Sequence, residues 1–267
     1  MIVSQLISTV FPPYFLFIIG ASIGSFLNVL INRLPKNQSI LGRSHCDFCR
    51  KKIAWYDLIP VFSFFVLKGR SRCCRKKLLW QYPLIELFTG FIFVIVFKDG
   101  PYISSSLIRS VLTVSIISCL IVIFVSDLKY HLISDYIQAA FFIFSVFYHL
   151  TINFNQFLVI SINFLISGLI VSFPIFLIYF LSKERAMGLG DVFLAANIGF
   201  LLGWQSGFLA LYIAFVTGAF FGLITILFKN KKLKSRIPFG PFLVIGTIII
   251  LFWGKEILEI IKRVYGF

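Results

Sequence analysis

Long apolar stretches, separated by short polar segments, run through the whole chain. A helix of about 20 apolar residues crosses the hydrocarbon core of a bilayer, so such stretches predict membrane-spanning helices. Eight can be distinguished, of which the second and the sixth are short: residues 13–31, 83–97, 104–126, 136–152, 157–181, 192–203, 207–228 and 238–254. The pattern predicts an all-α integral membrane protein with about eight transmembrane helices.

Composition supports the same fold class. Hydrophobic residue types make up 59% of the 267 residues and charged types only 13%, and the mean hydropathy is +0.97. A soluble domain of this size has no use for so much apolar surface, so a soluble protein is excluded. The amino-terminal segment has no basic region and no small-residue cleavage site, so we expect the first span to be retained as a helix.

The basic residues are concentrated in a few polar segments. Of the 25 Lys and Arg residues, which give a net charge of +15, 12 lie between Arg33 and Lys77 and five lie within residues 229–236. Basic loops between apolar spans are typical of the cytoplasmic side, so we expect membrane lipids as partners and no nucleic acid. With the amino terminus outside, 20 basic residues face the cytoplasm and five the other side. This bias predicts that orientation.

Two aspartates stand at the cytoplasmic ends of predicted spans. Asp127 closes the third span, and Asp191 opens the sixth after the glycines of MGLGDVF. A charge at membrane depth costs about 2.5–3.5 kcal/mol on insertion scales, so it tends to be retained for a purpose. Two facing carboxyl groups that share one proton can activate water and protonate a leaving amine, as in aspartic proteases. Gly188 and Gly190 would let the backbone turn and let a substrate backbone approach.

These residues alone leave three alternatives open. An aspartate at a span boundary is more often a helix cap or an interfacial residue than a catalyst. A proton-coupled transporter would use the same intramembrane carboxylates. The third alternative is a non-catalytic scaffold built on the cysteine-containing loop that follows the first span.

The basic loop after the first span carries four of the five cysteines. Cys46 and Cys49 form a Cys-x-x-Cys pair, and the adjacent Cys73 and Cys74 follow roughly 25 residues later. In a reducing cytosol such thiols favour metal ligation over disulfides, and two pairs at this separation are typical of a four-thiolate zinc site. The predicted domains are therefore residues 1–32 as the first helix, 33–82 as the loop domain and 83–267 as the polytopic part.

The second cysteine pair departs from the regular zinc pattern. That pattern would need thiols at positions 71 and 74, but position 71 is Ser71. Zinc binding would then depend on Cys73 as a substitute, and adjacent ligands strain tetrahedral geometry. His45 is another candidate donor.

Seven motifs occur in order along the chain. They are GSFLNVLINRLP (24–35), RSHCDFC (43–49), WYDLIPVFSFFVLKGR (55–70), WQYPLIELFTG (80–90), SDLKYHLISD (126–135), MGLGDVFLAANIGFLLGW (187–204) and IPFGPFL (237–243). Together they resemble the type IV prepilin peptidases, which are bacterial polytopic aspartic proteases. The GxGD motif alone would be less specific, because presenilin-like proteases also carry it.

The resemblance implies that Asp127 and Asp191 are the catalytic pair of an aspartic endopeptidase at the cytoplasmic face of a bacterial plasma membrane. It implies prepilin-like substrates, cut after a Gly that precedes an apolar helix, in pilus assembly, secretion or DNA uptake. As a second activity it implies methylation of the new amino terminus with S-adenosylmethionine, which the family places in the amino-terminal segment and the loop. The scaffold alternative, with zinc in its loop, would then be part of a pilus or competence machine.

Substrate contacts and departures from the family complete the expectations. A prepilin leader is basic, so acidic residues are expected contacts, and the flexible glycines before Asp191 would let a substrate backbone approach. The expected contacts are Glu86, Asp135, Glu184, Gly188 and Gly190. Three positions differ from the family pattern, namely Ser71 in place of Cys, Ser134 in place of Pro, and Phe193 in place of Lys.

Overall fold

The computed structural model describes residues 12–46, 48–98, 106–151, 157–185, 187–229 and 238–265. Within these ranges the regular structure is helical, and the only strand-like pairings are two isolated bridges. The predicted all-α class is confirmed. The amino-terminal segment and most of the basic stretch 229–236, for which the sequence makes predictions, lie outside the described residues.

Nine α-helices and two short 3₁₀ helices make up the described part of the chain. The α-helices are α1 (Pro13–Arg33), α2 (Phe62–Val66), α3 (Gln81–Lys98), α4 (Leu107–Tyr130), α5 (Asp135–Leu150), α6 (Phe157–Ser182), α7 (Leu189–Leu202), α8 (Trp204–Lys229) and α9 (Gly240–Tyr265). The 3₁₀ helices are Leu34–Lys36 and Trp55–Leu58. Each predicted span overlaps one of the longer helices.

Five of the described helices are long and apolar enough to cross a membrane: α1, α3, α4, α6 and α8. Large apolar side chains on them face outward, as Leu169 on α6 does at 71% exposure. Such a surface suits lipid contact and not water. The protein is therefore a multi-pass integral membrane protein. The count of eight spans stays a prediction, since α5 has 16 residues and α7 only 14.

The chain divides into two compact units, Met1–Val114 and Ser115–Phe267. In the first unit, α1 packs on α3 through a face that contains two glycines. A Cβ placed on Gly24 would lie 2.8 Å from the Cα of Glu86, and one on Gly20 would lie 2.9 Å from the Cα of Gly90. Only glycine allows this close approach. The division at residues 32 and 82 stays a prediction.

In the second unit, α7 is the buried helix. It packs against α5, α6, α8 and α9, and its residues Leu194, Ala195 and Ile198 are fully buried. Close packing on α6 requires Gly199, because a Cβ there would lie 2.7 Å from the Cβ of Val171. A helix surrounded in this way presents its amino-terminal turn, which carries Asp191, to neighbouring helix ends of the same unit.

Candidate active site

Asp127 lies near the carboxyl end of α4 and is buried, with 6% exposure. The backbone amide of Gly240, the first residue of α9, donates a hydrogen bond to its carboxyl group. The first amides of a helix have no partner within the helix and readily bind an anionic group. A Cβ placed on Gly240 would lie 2.5 Å from Oδ2 of Asp127, so this contact requires glycine.

Asp191 is the third residue of α7 and is 8% exposed. Its Oδ2 accepts a hydrogen bond from the backbone amide of Gly188 at 3.2 Å. Its Oδ1 is buried and has no hydrogen-bond partner among the described residues. Asp191 also interacts electrostatically with Asp127. The structure thus brings together the two carboxyl groups that the sequence singled out, each held through one backbone amide.

An apolar side chain lies close to two glycines of the site, Gly190 and Gly240. Ile133 lies in the turn between α4 and α5, and a Cβ placed on either Gly190 or Gly240 would come within 3.3 Å of it. Sequence reasoning had not selected Ile133, Gly240 or the buried amide Gln138. A glycine between the two Pro-Phe pairs of IPFGPFL was a usable signal for Gly240. An isoleucine in a turn and a glutamine in a helix carry no such signal.

The expected substrate contacts fall into two groups. Asp135 and Glu184 are exposed residues of the second unit, and Glu184 accepts a hydrogen bond from the Tyr179 hydroxyl at 2.6 Å. Asp135 begins α5 directly after Ser134, whose carbonyl accepts the first helical hydrogen bonds. The change from Pro to Ser is therefore compatible with the helix start. Gly188 is exposed and Gly190 half-buried at the start of α7.

Glu86 belongs to the first unit and is buried. Its Oε2 accepts a hydrogen bond from the Val61 amide at 2.7 Å. Val61 precedes α2 with φ of 63°, a conformation that a β-branched residue rarely adopts. Glu86 thus stabilises the fold of the loop, and a contact with substrate stays a prediction.

The cysteine loop contains two turns with the same backbone hydrogen bonds. In the first, Cys46 N donates to Lys51 O and Arg50 N donates to Cys46 O, both at 2.9 Å. In the second, Ser71 N donates to Lys76 O at 2.9 Å, and Arg75 N donates to Ser71 O at 2.8 Å. Arg50 and Arg75 both have left-handed φ values, 57° and 56°. Ser71 therefore occupies in the second turn the position that Cys46 occupies in the first.

The four thiols of the loop form one cluster, in which all sulfur atoms lie within 4.8 Å of one another. Cys46 Sγ lies 3.7 Å from Cys74 Sγ, and Cys49 Sγ lies 2.9 Å from Cys73 Sγ. Sulfurs around one tetrahedral zinc, with Zn–S of about 2.3 Å, lie about 3.8 Å apart. The residues present therefore fit a metal ion, with Cys73 as the fourth ligand.

Ser71 borders this cluster, whereas His45 belongs to another contact. The Ser71 Oγ lies 3.3 Å from Cys46 Sγ and 3.1 Å from Cys73 Sγ. His45 Nδ1 instead lies 3.4 Å from an Arg33 guanidinium nitrogen, and His45 is not a member of the cluster. Of the two substitutes that the sequence offers for a missing thiol, the structure brings Cys73 to the other sulfurs.

Cys46 and Cys49, the two cysteines of the first turn, have opposite pKa shifts. Burial alone would raise the pKa of Cys46, but hydrogen bonds from Ser71 and from the amides of Cys49 and Phe48 lower it to about 6. The hydrogen bond with the Cys73 thiol is the main cause that raises the pKa of Cys49 to about 11. The lowered pKa of Cys46 favours its thiolate, the form that binds metals.

The fold and the two sites define a class, namely integral membrane proteins with a buried aspartate pair and a loop that carries four clustered thiols. Residues 18–99 match the Bacterial Peptidase A24 N-terminal domain, and residues 114–223 match the Type IV leader peptidase family. Both aspartates lie within the second match. The chain belongs to the Type IV leader peptidase family.

Curated relatives carry the name prepilin leader peptidase/N-methyltransferase. The protein of Klebsiella pneumoniae is 32% identical over 200 residues, which cover 72% of this chain and 86% of that one. Those of Bacillus subtilis (strain 168) and Aeromonas salmonicida (strain A449) are each 29% identical, and they cover 94% and 90% of this chain and 98% and 90% of their own. No solved structure matches the chain.

Proposed function

We propose that the protein is a membrane-embedded aspartic endopeptidase that removes the leader peptide of type IV prepilin-like proteins. Asp127 and Asp191 are its catalytic pair. The observation that carries the proposal is the electrostatic interaction between these two buried carboxyl groups, inside the region that matches the Type IV leader peptidase family.

The chemistry follows from two carboxyl groups that share one proton. The ionised group removes a proton from a water molecule, whose oxygen attacks the scissile carbonyl carbon. The protonated group donates to the carbonyl oxygen, and the collapse of the tetrahedral intermediate transfers a proton to the leaving amine. We assign Oδ1 of Asp191 to the water, because Oδ2 is already bonded to the Gly188 amide.

Substrate binding uses the start of α7 and the exposed acids of the same unit. Gly188 and Gly190 have no side chains to obstruct an extended peptide backbone beside Asp191. Asp135 and Glu184 are exposed and attract a basic leader electrostatically. The positive-inside bias supports an outer amino terminus and a catalytic pair that faces the cytoplasm.

The cysteine cluster is proposed as a structural zinc site held by Cys46, Cys49, Cys73 and Cys74. Bound zinc would join the two turns of the loop, because two of its ligands come from each turn. The peptidase chemistry requires no metal.

N-methylation with S-adenosylmethionine is proposed as a second activity, on the strength of the relatives' name alone. Among described residues of the first unit, Asp57 is bonded to Arg72 and Glu86 to the Val61 amide, so neither carboxylate is presented to ribose hydroxyls. No described helix of that unit opens with a glycine-rich turn. These residues do not fit a nucleoside pocket of the soluble-methyltransferase type.

The test is cleavage of a prepilin-like substrate by purified protein in detergent. We expect Asp127→Asn and Asp191→Asn each to lower kcat by about 100- to 10,000-fold, since each removes an acid–base group. The matched control is Glu259→Gln, an equally small change at an exposed residue of α9, which should retain full activity. If either aspartate variant cleaves like the parent, the pair is not catalytic. A parent that never cleaves but carries protons into liposomes would indicate a transporter.

A further inference from the structure

A buried amide, Gln138, contacts the segment that carries Asp191. Gln138 lies on α5 and is 5% exposed. Its Nε2 donates a hydrogen bond to the carbonyl oxygen of Gly190 at 3.0 Å. This bond joins α5 to the first turn of α7, at the peptide group that leads directly into Asp191.

Both polar atoms of the Gly190–Asp191 peptide group are held. The carbonyl oxygen accepts from Gln138, and the N–H, which belongs to Asp191, donates to Gly188 O at 3.1 Å. The backbone at a glycine has more conformational freedom than at any other residue. Two hydrogen bonds restrict that freedom, and they set the direction in which the Asp191 side chain leaves the backbone.

Asn197 determines which end of the Gln138 amide faces Gly190. Its Nδ2 donates to the main-chain oxygen of Gln138 at 3.2 Å and to Oε1 of Gln138 at 3.5 Å. A carbonyl oxygen only accepts, so Gly190 requires the amide nitrogen of Gln138, and Oε1 is left to accept from Asn197. The three residues form a directed chain of hydrogen bonds that runs from α7 to α5 and back to α7.

We propose that Gln138, oriented by Asn197, is a positioning residue that fixes the Gly190–Asp191 peptide group and thereby holds the Asp191 carboxyl group for catalysis. This inference rests on the proposed function of Asp191 and adds to it. Gln138 lies outside the motifs that carry the family resemblance, and its role follows from the packing between α5 and α7.

The test replaces Gln138 by Met, which keeps the length of the side chain but cannot donate a hydrogen bond. With a prepilin-like substrate we expect Gln138→Met to lower kcat by on the order of 10- to 100-fold, because a displacement of about 1 Å at a catalytic group costs this much. KM should change by less than about threefold, since substrate binding is not the step affected.

Ser145→Ala is the matched control. Ser145 is fully buried on the same helix, and its hydroxyl donates to Phe141 O within α5 at 2.9 Å. Its replacement also removes a buried hydrogen bond, but one that does not reach α7. We expect unchanged kcat and KM. A loss of kcat equal to that of Gln138→Met would overturn the proposal, because it would reflect general damage to α5.

The effect of Asn197→Leu on kcat, measured in the parent and in the Gln138→Met background, distinguishes positioning from a general loss of stability. If Asn197 acts only through Gln138, its replacement lowers kcat in the parent but has no further effect in the Gln138→Met background. Additive losses in the double variant would show that Asn197 acts by another route and would overturn the directed chain.

A second measurement does not depend on peptidase activity. Hydrogen–deuterium exchange of the segment 187–193 should be faster in Gln138→Met than in the parent and in Ser145→Ala. If the parent cleaves no prepilin-like substrate, the proposed function fails, and exchange still decides the positioning role. Unchanged exchange in Gln138→Met would overturn it.

Discussion

The cysteine cluster and the aspartate pair both gather ionisable side chains, but they are assembled differently. The cluster forms within one loop, from two short turns with the same backbone hydrogen bonds, and Cys73 is exposed. The aspartate pair lies at the ends of α4 and α7 and depends on a backbone amide of α9. The first site thus depends on local turn geometry, whereas the second depends on helix packing. We therefore expect a single substitution to be absorbed more readily in the first site than in the second.

Of the changes that test this comparison, Gly240→Ala is expected to have the largest effect on cleavage. The added Cβ would lie 2.5 Å from Asp127 Oδ2, so the carboxyl group or the start of α9 must move. We expect kcat to fall by on the order of 100-fold, as measured by prepilin cleavage.

Gly218→Ala is the control for this substitution. Its Cβ would meet Phe242 at an ordinary 3.4 Å, so activity should persist. Full activity of Gly240→Ala would show that the amide of α9 is not part of the site.

Replacing Ser71 by Cys tests whether the cluster is a metal site. Because Ser71 occupies the position of Cys46 in the second turn, Ser71→Cys should complete a regular pair of knuckles and raise zinc affinity by at least about tenfold. Cys73→Ser should lose zinc in the parent but retain it in the Ser71→Cys background. Metal analysis with a competing chelator measures both.

Cys119→Ala is the matched control, because Cys119 is a buried thiol of α4, outside the cluster. Near-zero zinc in the parent and in Ser71→Cys alike would rule out the metal site.

The smallest effect is expected for metal removal. Prolonged treatment with a chelator should leave kcat for cleavage within about twofold, since a carboxyl pair needs no metal for acid–base chemistry. A parallel measurement of zinc content shows that the metal has left. Loss of cleavage that returns on addition of zinc would show that the two sites are coupled and that the aspartate pair depends on the cysteine cluster.

Local patterns in the sequence predicted the helices and both aspartates, because apolar length and charge at span ends are visible in single segments. The same patterns could not identify the partners of the aspartates. Gly240 and Gln138 meet the site only through the packing of α9 and α5, which no sequence period encodes. The sequence offered both Cys73 and His45 as substitutes for a thiol at position 71 but could not choose between them, since the choice depends on which way the turns present their side chains.

The short predicted span 192–203 shows a second limit. The segment is short for a span that crosses the membrane, but α7 begins earlier, at Leu189, and packs against four neighbouring helices. Burial within protein removes the need to match the thickness of the bilayer. The acids Asp135 and Glu184 were identified only by charge, so their contact with substrate stays a prediction.

The central claim is that Asp127 and Asp191 act as one catalytic unit. The most direct measurement compares the cleavage rates of Asp127→Asn, Asp191→Asn and the double variant, each against the parent. Groups that act together give non-additive losses. We therefore predict that the double variant is no slower than the slower of the two single variants. Losses that multiply in the double variant, or a single variant with the parent's rate, would contradict the account.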